Sequence, residues 1–163
     1  MSSCCSTDSL PKQVTKAVEN CPHCHQKGKS VGLETVKAML NVSLELIHAT
    51  HYHFCTTQTC PVAYFAADGQ QVFTVADVRE RVHQKAPLAD DVFVCYCFRY
   101  TPSSLRGEIA ATGHSTAVTS IAAGIQAGKC ACEIRNPQGS CCLGNIKAVL
   151  HQIANTALAR SRS

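Results

Sequence analysis

The residues able to do chemistry in this chain are its twelve cysteines, and all of them fall in short-range pairs: Cys4/Cys5, Cys21/Cys24, Cys55/Cys60, Cys95/Cys97, Cys130/Cys132 and Cys141/Cys142. Cysteines that merely fill a core would be scattered singly. In a reducing compartment, thiols in close pairs are metal ligands or redox groups before they are disulfides. Thiolates prefer soft and borderline ions, which narrows the chemistry to zinc, Cu(I) and iron–sulfur clusters.

Two pairs in the first half read as one site. Cys21-Pro22-His23-Cys24 is a C-x-x-C knuckle, and Cys55 and Cys60 flank a polar loop, Thr56 to Thr59. Together Cys21, Cys24, Cys55 and Cys60 make a four-thiolate set, and zinc in a structural site takes four ligands in a closed tetrahedron. Histidine is an alternative fourth ligand, because His23 and His25 flank the knuckle and His48, His51 and His53 lie close to Cys55. His53 is the first choice among them, and a strand would put it on one face with His51. The leading pair, Cys4-Cys5, suits either a soft ion such as Cu(I) or a terminal segment with no role.

The last third holds the other six cysteines, Cys95 and Cys97 on one side of a helical pair and Cys130, Cys132, Cys141 and Cys142 on the other. Loops before and after a helical pair meet at one end of it. Four thiolates from two such loops suit a 2Fe-2S cluster, whose two irons need two each. A second zinc competes, since zinc also accepts four cysteines.

The elements that must position these thiols are legible in outline. Leu33 to Leu40 reads as a short helix, and Tyr52–Phe54, Val62–Phe65 and Gln71–Phe73 read as strands, the last two joined by an Asp68-Gly69 turn. Thr74 with Asp77 reads as a helix start carrying Val78 and Val82 inward, with Arg79, Glu80 and Arg81 as a solvated face. Lys85 to Asp91 reads as a linker. Beyond it, Thr101-Pro102 opens a helix that Gly113 stops, and Ser115 caps a second helix ending at Ala127-Gly128. A third, amphipathic helix carries Ile146, Val149, Leu150, Ile153 and Leu158. The fold class is therefore α+β: a flexible tail over 1–20, a small zinc-bound β-sheet module with flanking helices over 21–90, and a mainly helical 2Fe-2S module over 91–163.

Composition bounds the function. A chain of 163 residues, 45% hydrophobic, can bury a core, and a net charge of +4 without a basic stripe does not argue for nucleic acid. The sequence holds no run of about 18 apolar residues and no signal-peptide pattern, so it is expected to be cytoplasmic. It contains no Gly-x-Ser-x-Gly, no phosphate-cradling loop and no His-Glu-x-x-His, so no hydrolytic constellation competes with the thiols.

These motifs resemble two known families. Cys95-x-Cys97, a helical pair and a second cysteine pair at the start of a helix are similar to the 2Fe-2S domain of bacterioferritin-associated ferredoxins. Over Cys21 to about Leu150 the chain resembles the N-terminal domain of CopZ-type copper chaperones. That likeness rests on Cys21-Pro22-x-Cys24, Lys27-Gly28-Lys29, Thr35-Val36-Lys37, Phe54-Cys55-x4-Cys60-x3-Tyr64-Phe65, Cys95-Tyr96-Cys97-Phe98 and Asn136-Pro137-x-Gly139-x-Cys141-Cys142-Leu143-Gly144.

The resemblance implies a zinc centre in the first half and a 2Fe-2S cluster in the second. It also implies one-electron reduction of Cu(II) to Cu(I), with handover to a copper chaperone domain or a copper-exporting ATPase. For the cluster it implies Cys95, Cys97 and Cys142, the last lying just before a helix, with Cys132 preferred as the fourth ligand and Cys130 close behind. Cys141 and Cys130 are then free thiols, alternate ligands or a copper-transfer route. This sequence has no Met-x-Cys-x-x-Cys loop of the family's copper-carrying domain, so a separate partner is expected to carry copper. An electron-transfer ferredoxin for a reductase and a zinc-only interaction module are the alternatives.

Overall fold

The computed structural model describes residues 17–161. The Cys4-Cys5 pair and most of the expected 1–20 tail lie outside them. The chain opens on a four-stranded sheet built from β1 (Lys29–Val31), β2 (Tyr52–Phe54), β3 (Val62–Ala66) and β4 (Val72–Thr74), with α1 (Leu33–Met39) between the first two strands. The strands lie in sequence order and every neighbouring pair is antiparallel. Three of the four were expected. Lys29, expected in a turn, instead opens β1, paired with Phe54 of β2.

Strand β3 is the centre of this half. All five of its residues are buried, so one face meets the core of Val36, Met39, Leu40, Tyr52, Phe54 and Tyr64 while Val62 and Phe65 belong to a second, smaller cluster around Cys21, Cys55 and Cys60. Alternation from Tyr64 onward, with an irregularity between Val62 and Tyr64 that puts Val62 on the side of Phe65, is how one short strand serves both.

The helix expected from Thr74 does not form. Thr74 and Asp77 do make a reciprocal capping box, but it closes only a 3₁₀ turn over Val75–Asp77, and a second such turn covers His83–Lys85. The chain between them is pulled out by backbone pairing to the end of α1: Leu40 bridges Val78, Asn41 N donates to Asp77 O and Arg79 N to Met39 O. Val78 and Val82 are buried all the same, because an extended segment can deliver them to the core as a helix would.

The second half is helical as expected, with α2 (Pro102–Thr112), α3 (Ala117–Gln126), a short α4 (Cys132–Arg135) and α5 (Leu143–Ser161). Helix α2 starts on a full box in which Thr101 Oγ1 accepts from Ser104 N and Ser104 Oγ accepts from Thr101 N. It stops at Gly113, whose φ of 82° is left-handed and accessible to glycine at little cost. The N-cap of α3 is Thr116, with Ser115 Oγ accepting from Ala117 N. Leu105, Ala117, Ile121, Ile146 and Val149 form the core here, together with Cys95 and Cys142. Ile146 and Val149 are among the apolar positions expected on the last helix. An α+β fold of sheet followed by helices results.

The two halves meet along the loop after α4. Tyr64 Oη donates to Pro137 O at 2.6 Å, Gln84 bonds Gln138, and Lys29 Nζ donates to Ser140 Oγ at 2.6 Å. Gly139, at φ 64°, is pressed so closely that a Cβ there would lie 2.7 Å from Val31 Cγ2 and 2.9 Å from Thr35 Oγ1. Tyr96 ties the other side: its hydroxyl donates to Arg81 O at 2.7 Å and accepts from His83 N at 3.0 Å. Among the described residues no helix is long and apolar enough to cross a membrane.

Candidate metal centres

The sheet builds the first thiol set. Cys55 directly follows β2 and Cys60 shortly precedes β3, and Cys55 N donates to Ala63 O at 2.9 Å, so strand pairing holds both ends of the intervening loop. Cys21 and Cys24 sit on a tight turn closed by Cys21 N to Gln26 O and His25 N to Cys21 O, with His25 in the left-handed region at φ 60°. All four sulfurs lie within 4.8 Å of one another. Cys21 Sγ is 3.8 Å from Cys60 Sγ, and Cys24 Sγ is 3.6 Å from Cys55 Sγ.

Those separations are far beyond a disulfide bond of about 2.0 Å. They match the edge of a tetrahedron: with metal–sulfur distances of about 2.3 Å, sulfurs stand about 3.8 Å apart. The donor set therefore fits a four-thiolate ion. Its electrostatics agree, since burial pushes Cys60 up to about 12 and raises Cys21. Thiols that resist ionisation when empty become thiolates when a cation shares the cavity. Cys24, at the exposed edge, is drawn down to about 6, chiefly by the Thr57 hydroxyl 3.3 Å away.

The histidines take other places. His51 lies outside β2, so it does not pair with His53 on one strand face. His53 stacks on Phe65 at 5.3 Å between ring centroids, and its Nδ1 is buried without a partner. His23 is the one that reaches a sulfur, with Nδ1 3.6 Å from Cys60 Sγ.

The second set is assembled from three loops. Cys95 and Cys97 lie on a tight turn in which Cys95 bridges Tyr100 and Arg99 adopts φ 59°. Cys132 opens α4, and Cys142 immediately precedes α5, where its carbonyl accepts from Ile146 N at 3.0 Å. Cys97, Cys130 and Cys132 place their sulfurs within 4.8 Å of one another: Cys97 to Cys132 is 3.8 Å, Cys130 to Cys132 is 3.2 Å and Cys130 to Cys97 is 4.0 Å. Cys95 and Cys142 lie buried together in the adjoining helical core, and Cys142 interacts electrostatically with both Cys132 and Cys95. Five thiols thus form one connected set, and Cys141 stands apart and exposed.

Hydrogen bonding polarises this set. Interaction with the Cys142 thiol is the main cause that draws Cys132 down to about 5 and Cys95 down to about 7. Serving both neighbours drives Cys142 itself strongly upward. Burial raises Cys97, and it pushes Cys130 up to about 12. Ala131 N also donates to Cys97 Sγ at 3.4 Å, a bond of the kind that tunes a metal-bound sulfur.

Two buried amides hold the loop that delivers Cys142, and sequence reasoning had singled out neither as a positioning group. Asn136, fully buried, donates through Nδ2 to Ser140 O at 2.8 Å and accepts from Gln138 N. Gln138 Nε2 donates to both Ser140 O and Cys141 O at 3.1 Å. The Asn136-Pro137-x-Gly139 turn pattern was the visible signal. Pro137 ends α4, and the side-chain amides replace the backbone bonds the turn cannot make.

Fold and thiol sets define a cysteine-rich protein with two separate groups of thiols suited to metal binding. Comparison with known proteins makes this specific. Residues 18–79 match the family model of the CopZ zinc binding domain. The copper chaperone CopZ of Archaeoglobus fulgidus is 34% identical over 122 residues, covering 75% of this chain and 57% of that protein. The crystal structure of the Archaeoglobus fulgidus CopZ N-terminal domain superposes with a TM-score of 0.63 at 30% identity, over 80% of this chain and 96% of that domain. The chain belongs to the family of CopZ N-terminal domains. It spans little more than half the length of the full-length relative.

Proposed function

We propose that this protein is a redox accessory of copper homeostasis, with zinc held by Cys21, Cys24, Cys55 and Cys60 in a module over 21–90, and a 2Fe-2S cluster held by Cys95, Cys97, Cys132 and Cys142 in a module over 91–163. The observation that carries the reading is the linked thiol set of the second half, in which Cys97 and Cys132 stand 3.8 Å apart and the buried Cys95 and Cys142 pack together in the adjoining helical core. Four thiols so linked supply two ligands to each of two irons. Cys132 is buried whereas Cys130 is half-buried, which favours Cys130 as the surplus thiol.

When bound, such a cluster takes up and releases one electron at a time. The protein's own residues supply the rest. Cys95 and Cys142 are buried to 1% exposure or less, which keeps water from that side, whereas Cys97 and Cys130 are half-buried and face the opening. Membership of the CopZ family supports copper as the partner metal, with reduction of Cu(II) to Cu(I) and handover to a copper chaperone domain or an exporting ATPase. Four sulfurs within 4.8 Å of one another would fill the coordination of a zinc ion held there, which supports a structural role.

Protein purified without oxygen should be reddish and should contain iron, sulfide and zinc. Absence of iron and sulfide under those conditions would sink the reading. Mixing the dithionite-reduced protein with Cu(II) and a Cu(I) chelator should then oxidise the cluster and yield the Cu(I) complex in equal amounts.

A further inference from the structure

Three arginines from separate segments converge on one depression beside the second thiol set. Arg79 comes from the extended segment after β4, Arg99 from the Cys95–Tyr100 turn and Arg135 from the last position of α4. The depression holds about 270 Å³ and is floored by Tyr96 and Phe93. Glu80 supplies its one carboxylate, so the guanidinium charge is in excess.

That excess is not neutralised elsewhere. The ion pairs among the described residues are Lys27–Glu19, Arg81–Asp91 and Arg106–Asp90, and none involves these three arginines. The contrast with Arg81 is telling, because two positions along the same segment the charge is paired. Arg99 is held over the Phe93 ring at 4.4 Å, on a backbone at φ 59° that non-glycine residues seldom adopt. Arg79 spends one donor on Leu40 O at 3.1 Å, leaving the rest of its fork available.

Position adds to charge. Arg99 follows Cys97 by two residues and Arg135 follows Cys132 by three, so both thiol-bearing loops contribute to the rim. Tyr96, in the floor, lies between Cys95 and Cys97. Ile134, also on the rim, is 52% exposed and offers apolar contact that a small acid could not cover. Guanidinium groups arranged around an aromatic floor match carboxylates, whose two oxygens accept paired N–H donors.

We infer that this depression is the docking site for an acidic protein surface, the carboxylate-bearing face of a redox partner that exchanges one electron with the adjacent thiol set. The redox part rests on the reading proposed above, whereas the docking part stands on the arginines alone. Hydrated copper would be repelled here. The opening lined by Cys130, Cys132, Glu133 and Cys141 offers thiols and a carboxylate in place of guanidinium groups.

Decaglutamate titrated into the whole protein at low ionic strength, followed by calorimetry, tests the docking. Wild type should bind, and Arg79→Gln/Arg135→Gln should bind about tenfold more weakly. The charge-matched Arg106→Gln/Lys147→Gln should bind as wild type does. No binding by wild type, an equal loss in both double variants, or decauridylate binding as tightly as decaglutamate would each overturn the inference. A second readout addresses electron exchange: the dithionite-reduced protein passes one electron to ferricyanide, giving ferrocyanide, or to hexaamminecobalt(III), giving cobalt(II). Arg79→Gln/Arg135→Gln should slow the anionic oxidant by about tenfold and leave the cationic one unslowed, with unchanged visible absorption. Equal slowing of both would overturn the electron-exchange role. Decaglutamate binding by a protein lacking iron would sink the proposed redox function while sustaining the docking site.

Discussion

The two thiol sets solve the same problem differently. In the first half, four sulfurs are gathered by strand ends and one tight turn, at separations that suit a single tetrahedral ion. In the second, five thiols come from three loops between helices, with Cys97, Cys130 and Cys132 at sulfur separations from 3.2 to 4.0 Å and Cys95 and Cys142 buried beside them, one thiol beyond the four that the proposed 2Fe-2S cluster would use. A closed set held by a sheet is suited to staying put. A set with a spare thiol at its opening, and loops tied to the other half, is suited to exchange with partners. The difference teaches that cysteine number alone does not assign a role, and that the supporting backbone does.

The sharpest way to break this comparison is to remove one ligand from each side. Cys55→Ser should strip zinc and, because a small sheet draws on metal for about 10–16 kcal/mol of binding free energy, should unfold the first half as seen by circular dichroism. Cys97→Ser should bleach the visible absorption and leave zinc content as in wild type. Loss of both metals in Cys97→Ser would contradict two separate centres. Within the second set, Cys132→Ser should lose most of the iron while Cys130→Ser retains it, as measured by iron analysis and visible spectrum. Equal loss in both would make Cys130 a ligand.

The seam between the halves offers smaller effects. Gly139→Ala combines a left-handed backbone with contacts of 2.7 and 2.9 Å to Val31 and Thr35, and should cost about 2–4 kcal/mol in urea unfolding. Tyr64→Phe removes the buried hydroxyl that donates to Pro137 O and should cost about 1–2 kcal/mol. If the cost of Tyr64→Phe appears only in the metal-loaded protein, the seam depends on the centres it joins.

The smallest effect is pH-dependent. Burial holds the His83 imidazole below its ordinary value, and its Nδ1 is buried without a partner. The unfolded chain therefore binds more protons than the folded one between the two values. Stability from this group is complete above about pH 6.5 and is lost as pH falls below it. His83→Phe should show a smaller drop in urea midpoint between about pH 7.5 and about pH 5.5 than wild type does.

Much of this was legible beforehand because it depends on local chemistry. Thr101-Pro102 and Gly113 bound α2 through caps written in adjacent residues, and the C-x-x-C knuckle needs only a short turn to aim two sulfurs. The Thr74 start was also real, yet it ran for a single 3₁₀ turn. Backbone pairing of residues 77–79 with the end of α1 offered the chain better bonds than a helix did, and the valine spacing that suggests a helix is equally served by an extended segment. The arginine depression escaped notice for a related reason. Arg79, Glu80 and Arg81 look alike in sequence, and only folding sends Arg81 to Asp91 and Arg79 toward Arg99 and Arg135.

By itself the sequence determined which atoms could hold metals, the helical character of the second half and most strands of the first, since each follows from residue type and spacing within a few positions. Tertiary structure decided which thiols share a site. Cys132 and Cys130 are two residues apart, and nothing local separates them. What distinguishes them is burial, Cys132 being buried and Cys130 half-buried, on a segment whose continuation to Cys142 is held on buried Asn136 and Gln138 and braced against Tyr64 from the other half. Such long-range contacts are set by packing, which no stretch of the chain encodes alone.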